Sequence, residues 1–186
     1  MPNEKRVFLK SFMHSPKAIG SIIPSSPYLV QSMVNQVKLQ KNSKVVELGA
    51  GTGVLTETIL KESKLNHPLI VFENNNSLKQ SLNRFASEIT IFDDAFNLKG
   101  LLNEQENSID YIFSGLPLLN FKKEELFNLL DQIDYVLKPG GKFIAFQYTP
   151  FLLLYLNAAF DKTSLKVVPL NIPPAFVFVC EKETLT

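Results

Sequence analysis

Three glycines at alternate positions, in Val45-Val46-Glu47-Leu48-Gly49-Ala50-Gly51-Thr52-Gly53-Val54-Leu55, constrain this chain more than any other feature. The residues before them read as a buried strand, and those from Val54 onward as the start of a helix. Glycine in such a turn lets main chain come within contact distance of a ligand that a Cβ would hold off. Two familiar glycine loops do not fit. A phosphate-binding loop ends in Gly-Lys-Ser/Thr, which is absent, and the dinucleotide fingerprint G-x-G-x-x-G needs glycine where this chain has Val54. What stands here is G-x-G-x-G with an acid, Glu47, two residues ahead. A tight turn that binds nothing is the plain alternative.

The rest of the chain suits such a loop. From residue 44 onward, short β-branched or aromatic runs (44–48, 69–73, 89–92, 109–114, 142–148) alternate with helix-like stretches (54–63, 75–87, 98–102, 122–137). That rhythm predicts βαβ units, hence a mostly parallel sheet with helices on both faces. Leu126, Leu129, Leu130, Ile133 and Leu137 form the stripe of the clearest helix, which Lys138-Pro139-Gly140-Gly141 should end. Two last runs, 164–169 and 175–181, are joined by a connector too short for a parallel crossover, so they should pair as an antiparallel hairpin. The expected fold is α/β, a mostly parallel seven-stranded sheet with a terminal antiparallel strand. At 186 residues the chain should be one domain, 1–186, with residues 1–40 as an N-terminal helical segment.

Composition narrows the chemistry. Nineteen Lys and Arg against 18 Asp and Glu leave a net charge of +1, which argues against strong nonspecific nucleic-acid binding. The one cysteine, Cys180, excludes a disulfide scaffold and reads as a small buried apolar residue. His14 and His67 lack ligand spacing, so no metal is expected. Residues 1–10 are polar and charged, unlike a secretory signal, and the most apolar window, 151–160, is about half a membrane span. The expectation is a cytoplasmic protein, peripheral on the inner face of the cytoplasmic membrane if it touches lipid.

The strand, G-x-G-x-G and helix led by Glu47 resemble motif I of the class I methyltransferases that use S-adenosylmethionine (SAM). The resemblance implies a Rossmann-like class I methyltransferase fold and SAM as cofactor. SAM carries an ammonium and a sulfonium and no phosphate, which suits a carboxylate rather than an anion cradle. By the same resemblance, Gly49, Ala50, Gly51, Thr52 and Gly53 offer main chain to the cofactor and Glu47 faces its cations. Glu73 with Asn74 reaches the ribose hydroxyls, Asp94 with Ala95 the adenine, and Ser114 closes the pocket after the fourth strand. Asp93 is the alternative to Asp94 by one register step, and an Asp there also serves as a turn former. Dinucleotide folds place an acid much as Glu73 is placed.

The acceptor should be written after the fourth strand. Amino-directed nucleic-acid methyltransferases, the rRNA adenine dimethylases included, carry Asn or Asp, a variable residue, Pro and an aromatic there. This chain has Ser114-Gly115-Leu116-Pro117-Leu118-Leu119-Asn120: Gly115 replaces the polar residue, Leu118 replaces the aromatic that would stack on a flipped base, and Pro117 is retained. Together with Gly20-Ser21-Ile22-Ile23-Pro24-Ser25-Ser26, Phe146-Gln147-Tyr148-Thr149-Pro150 and Asn171-Ile172-Pro173-Pro174-Ala175, this block is similar to the bacterial phospholipid N-methyltransferases. That likeness implies phosphatidylethanolamine as acceptor and a membrane surface as partner. Tyr148, the main chain of Gly115, Leu116 and Pro117, and Asn120 are the candidates to orient the amine. A Tyr packed at a strand end and an Asn capping the helix near Lys122 are the structural alternatives. An rRNA adenine, a soluble amine, and a SAM-binding module without turnover are the competing functions.

The N-terminus points the same way. Val7, Phe8, Leu9, Phe12 and Met13 cluster on one side of a helix, and residues 1–20 hold Lys5, Arg6, Lys10 and Lys17 against Glu4 alone, a net +3. A basic amphipathic segment suits an anionic interface; packing of Phe8 and Phe12 on the core is the alternative. Residues 151–156 are apolar on all helical sides, which suits either burial or lipid contact. Ser25 and Ser26 before Pro27 read as a helix cap or as an anion site.

Overall fold

The computed structural model describes residues 26–102 and 106–184. The basic segment of residues 1–20, with the 7–13 cluster and His14, and the block from Gly20 to Ser25 therefore lie outside the described residues. In chain order the elements are α1 (Pro27–Val34), β1 (Val45–Leu48), α2 (Val54–Ser63), β2 (Leu69–Phe72), α3 (Asn76–Leu82), β3 (Ile89–Phe92), α4 (Leu98–Leu101), β4 (Ile109–Ser114), α5 (Lys123–Val136), β5 (Leu137–Gln147), α6 (Leu152–Ala159), β6 (Lys162–Val168) and β7 (Ala175–Glu181).

They build one seven-stranded sheet in the order β3-β2-β1-β4-β5-β7-β6. β1 to β5 pair in parallel, and β7 runs antiparallel to both of its neighbours. The last strand of the chain thus lies inside the sheet, and β6 is the edge. Two apolar layers cover the two faces. Leu29 and Met33 of α1, Leu55 and Ile59 of α2, and Leu82 of α3 pack with Val45, Val71 and Ile144 on one face. Leu129, Leu130 and Ile133 of α5 and Leu152 and Leu156 of α6 pack with Val46, Ile112 and Phe143 on the other. The strand order reverses between β1 and β4, which opens a crevice at their carboxyl ends, where α/β sheets bind ligands.

Two boundaries differ from the pattern reading. α5 stops at Val136, and Leu137 opens β5 rather than closing the helix. Lys138-Pro139-Gly140-Gly141 is a kinked start to the strand: Leu137 pairs with Ile109, the register shifts, and Gly140 takes φ +74°. A Cβ on Gly141 would stand 2.8 Å from Lys138 O, so glycine permits the chain to fold back into the sheet there. The helix expected over 75–87 ends at Leu82 and continues as one 3₁₀ turn, Asn83–Phe85. Ser26 caps α1, its Oγ accepting from Leu29 N at 3.2 Å, with Pro27 in the first turn. Cys180 is fully buried, and burial pushes its thiol up to about 12. Among the described residues no helix is long and apolar enough to cross a membrane.

Candidate active site

The crevice is a cleft of about 280 Å³ at the carboxyl ends of β1 to β5. Its floor is the glycine loop. Gly49 N and Ala50 N both donate to Phe72 O, at 2.8 and 3.3 Å, which ties the loop to the end of β2. Gly51 sits at φ +58°, where L side chains are strained, and a Cβ on it would meet nothing within 4 Å. The loop therefore presents bare main chain to open space. Gly53 is turned away from the cleft; its α-carbon packs beneath Leu82 and Phe85.

Two buried carboxylates face this loop, and they differ in how they are held. Glu73 accepts from Gly51 N through Oε2 and from Asn75 N through Oε1, both at 2.8 Å. One side chain thus joins the glycine loop to the exit of β2, and each oxygen keeps a lone pair for a hydroxyl. Glu47 is 0% exposed; Thr56 Oγ1 donates to its Oε2 at 2.7 Å, and its Oε1 has no partner. Burial raises its carboxyl to about 7, with the charge of Glu73 adding to the rise and the Thr56 bond opposing it. A buried acid at the cleft with one oxygen unpaired is a place for a cation.

The third acid position resolves into two different environments. Asp93 holds Lys79 at 2.8 Å and is mostly exposed. Asp94 caps the turn Ala95–Asn97, Oδ1 accepting from Phe96 N at 2.9 Å, which leaves Oδ2 free of a side-chain cation. Both line the cleft.

The opposite wall comes from the ends of β4 and β5. Gly115 N donates to Leu48 O at 2.8 Å, and a Cβ on Gly115 would stand 2.6 Å from Gly49 O. The two loops touch through main chain. Leu116 O accepts from Gln147 Nε2 at 3.0 Å and from Leu118 N at 2.8 Å, and Pro117 O accepts from Asn120 N at 2.8 Å. Among the described residues nothing donates to Gly115 O. Phe121 meets Phe96 edge-on at 4.9 Å, and Phe146 meets Tyr148 edge-on at 5.8 Å. Burial raises the Tyr148 hydroxyl, which shares a hydrogen bond with Asn171. Asn171 also accepts from Ser26 Oγ at 2.6 Å and donates to Pro173 O at 2.6 Å, so α1 and the β6–β7 hairpin hold the Tyr148 side together.

Most of the residues expected from the sequence meet in this cleft: Glu47, Gly49, Ala50, Gly51 and Thr52 on the floor, Glu73, Asn74, Asp94 and Ala95 along one side, and Gly115, Leu116, Pro117 and Tyr148 opposite. Three do not line it. Gly53 lies under α3, Ser114 is buried with its Oγ accepting from Leu116 N, and Asn120 is exposed beyond the turn that follows Pro117. Asn120 does not cap α5 either; Lys122 takes that position. Sequence reasoning gave no site role to Phe96, Phe121, Thr56, Gln147 or Asn171, although Gln147 and Asn171 stand in the blocks that carry the resemblance. Thr56 carried a readable signal, since one turn into the helix its hydroxyl points back at the strand acid. Asn171 was marked only by its block, since its contact with Tyr148 comes from a hairpin that closes from the far edge.

The family model described as ribosomal RNA adenine dimethylase matches residues 6–99. The ornithine lipid N-methyltransferase of Singulisphaera acidiphila is 32% identical over 181 residues, covering 94% of each chain. The ribosomal RNA small subunit methyltransferase A of Borreliella burgdorferi is 31% identical over 104 residues, which is 55% of this chain and 35% of that protein. Among solved structures, the Burkholderia thailandensis 1,6-didemethyltoxoflavin-N1-methyltransferase, bound to S-adenosylhomocysteine, superposes with a TM-score of 0.68 over 96% of this chain and 87% of its own, at 16% identity. At that identity the likeness is one of fold.

Proposed function

The chain belongs to the ribosomal RNA adenine dimethylase family and is a SAM-dependent N-methyltransferase, and from that premise we propose that its acceptor is the amine of a lipid headgroup, phosphatidylethanolamine before others. The observation that carries this reading is the composition of the cleft. Four carboxylates line it, Glu47, Glu73, Asp93 and Asp94, with no Lys, Arg or His lining it among the described residues and Lys79 paired only with the outermost, Asp93, while Leu116, Pro117, Phe121, Phe146 and Tyr148 make the acceptor wall. Such a site attracts a cationic amine and repels a phosphate backbone. The lengths of the matches support the same choice. The family match ends at residue 99, before the acceptor loop at 115–121 and before Tyr148. The match to the lipid enzyme runs through both. What is shared with the RNA enzymes is the half that holds the cofactor.

The residues of the cleft fit SAM. Gly51 has open space before it, Glu73 keeps lone pairs that would take two ribose hydroxyls, Asp94 would accept from the adenine amino group, and Glu47 Oε1, without a partner, would take the amino acid ammonium. When bound, SAM supplies an electrophilic methyl group on its sulfonium. The chain's own part begins with the acceptor, whose ammonium must lose a proton before nitrogen can attack. The apolar wall lowers the amine's pKa by desolvating its charged form, so that the proton leaves to solvent water at the mouth of the cleft before the nitrogen attacks. Gly115 O, the one carbonyl of the 115–117 loop without a donor among the described residues, accepts a remaining N–H and orients the lone pair. Tyr148, held by Asn171, flanks the amine, and its ring face favours the methylated cation formed. Catalysis here is chiefly positioning, worth several kcal/mol.

Glu73→Ala is expected to weaken SAM binding about tenfold or more by calorimetry. It removes the ribose acceptor and also leaves Gly51 N without its partner. Unchanged affinity would place the ribose elsewhere. The acceptor itself is tested with methyl-labelled SAM supplied separately with phosphatidylethanolamine vesicles and with rRNA. Label should enter the lipid; label in RNA alone, or in neither, overturns phosphatidylethanolamine as the acceptor.

A further inference from the structure

The exposed large apolar side chains are gathered at one end of the molecule. Phe151 and Leu154 at the start of α6 are 65% and 71% exposed, and Leu170 and Ile172 in the β6–β7 hairpin are 65% and 72% exposed. Val167 on the edge strand and Tyr28 in the first turn of α1 are more than half exposed as well. Among the described residues, the opposite edge, β3 with α2 and α3, shows no large apolar side chain at comparable exposure. Charge is distributed in the same one-sided way. The only charged residues from 148 to 180 are Asp161, Lys162 and Lys166, and the first two stand at the start of β6, away from the hairpin. Because β6 runs parallel to β1, the hairpin after Val168 stands at the carboxyl edge of the sheet, the edge on which the cleft opens. Asn171, between the two exposed hairpin residues, is the residue that holds Tyr148.

We propose that this end, formed by the start of α6 and the β6–β7 hairpin, is a membrane-docking surface that seats on a bilayer containing anionic lipid, with the mouth of the cleft facing the headgroups. The proposal rests on the lipid-amine reading of the site. Large apolar side chains at such exposure, with Lys166 beside them and Asp161 kept to the far end of β6, suit the headgroup–acyl boundary. The chain outside the description reinforces the choice of occupant. Its 25 residues join at Ser26, which bonds to Asn171 of the same hairpin, and they carry four Lys and Arg against one Glu. A second copy docked symmetrically here would bring those like charges against each other, whereas an anionic surface neutralises them.

The test uses the full chain and vesicles of phosphatidylcholine and phosphatidylglycerol, which hold no primary amine, so that binding is read apart from turnover. Leu170→Ser with Ile172→Ser, and separately Phe151→Ser with Leu154→Ser, should each weaken co-sedimentation at least tenfold. SAM affinity, and methylation of detergent-dispersed phosphatidylethanolamine, should stay at wild-type level. Variants that sediment like the wild type overturn the surface while leaving the acceptor assignment standing. Wild-type binding lost in the variants, with no lipid methylated under any condition, overturns the acceptor and keeps the surface. A polarity-sensitive label on Ile172→Cys gives an independent reading, since buried Cys180, its thiol up at about 12, will not compete for reagent. A blue shift should appear only when vesicles are added. A label already blue-shifted without them means that residues 1–25 or a second copy covers the site, and overturns the proposal.

Discussion

Alanine at Gly115 is expected to cut turnover at least about 100-fold while leaving the secondary structure intact. The reason is a contact between two main chains. The added methyl would stand 2.6 Å from Gly49 O, and neither partner is the flexible end of a side chain that can move aside. Gly115 N is bonded to Leu48 O and Gly49 N to Phe72 O, both at 2.8 Å, so the clash is resolved only by separating the end of β4 from the end of β1. Those two ends carry the acceptor loop and the donor loop. Displacement of order 1 Å between reactants is worth about 100-fold in rate. Steady-state kinetics with circular dichroism checks this. Wild-type turnover in the variant would mean that the two loops do not need this separation. Gly49 tells the same story from the other side, its Cβ position lying 2.8 Å from Leu116 Cδ2, but there a leucine tip can yield.

Glu47→Gln should stabilise the protein without ligand at pH 8 and, at the same pH, weaken SAM binding about 100-fold or more. The folded carboxyl sits near 7, above its ordinary value of 4.5. The folded state therefore holds that proton more tightly than the unfolded chain does. Stability is at its full value below 4.5 and falls as pH rises towards 7, by about 3 kcal/mol once both states are ionised. Glutamine keeps an oxygen for Thr56 Oγ1 and carries no charge, so the variant escapes that loss: its melting temperature should exceed that of the wild type at pH 8 and match it near pH 4.5. Binding follows the opposite sign. A bound cation gains from the ionised acid, so wild-type affinity should rise with pH through about 7, and the variant should lose both the rise and the affinity. Removing one partner of a buried ion pair is worth about 3–5 kcal/mol, which sets the expected factor. Thermal unfolding at the two pH values, with and without SAM, reads both effects. A variant that is destabilised at pH 8, or binds SAM normally, would show that Glu47 is satisfied in a way the unpaired Oε1 does not suggest.

These two residues also mark how far pattern reading reaches. Glu47 was legible as the acid of the glycine motif, two residues ahead of Gly49, and the structure buries it at the end of β1. Its partner Thr56 was not named, although only a helical turn separates it from Gly53. Gly115 was legible as a departure from a polar residue, but its contact with Gly49 depends on the register Leu48 to Ser114, which no local pattern encodes. The choice between Asp93 and Asp94 stayed open in the sequence because neighbouring acids after a strand are equivalent there; Lys79, from the preceding helix, distinguishes their surroundings.

Local pattern alone determined the βαβ order, the hairpin and the glycine turn. Each of these follows from side-chain periodicity and backbone freedom over a few residues, and neither depends on distant partners. The insertion of β7 between β5 and β6, the kinked entry into β5, the contact of two loops through bare main chain, and the Ser26–Asn171–Tyr148 cluster were decided only by the tertiary structure. All four are pairings across more than twenty residues of chain, where packing of whole faces, rather than the preference of any segment, selects which groups meet.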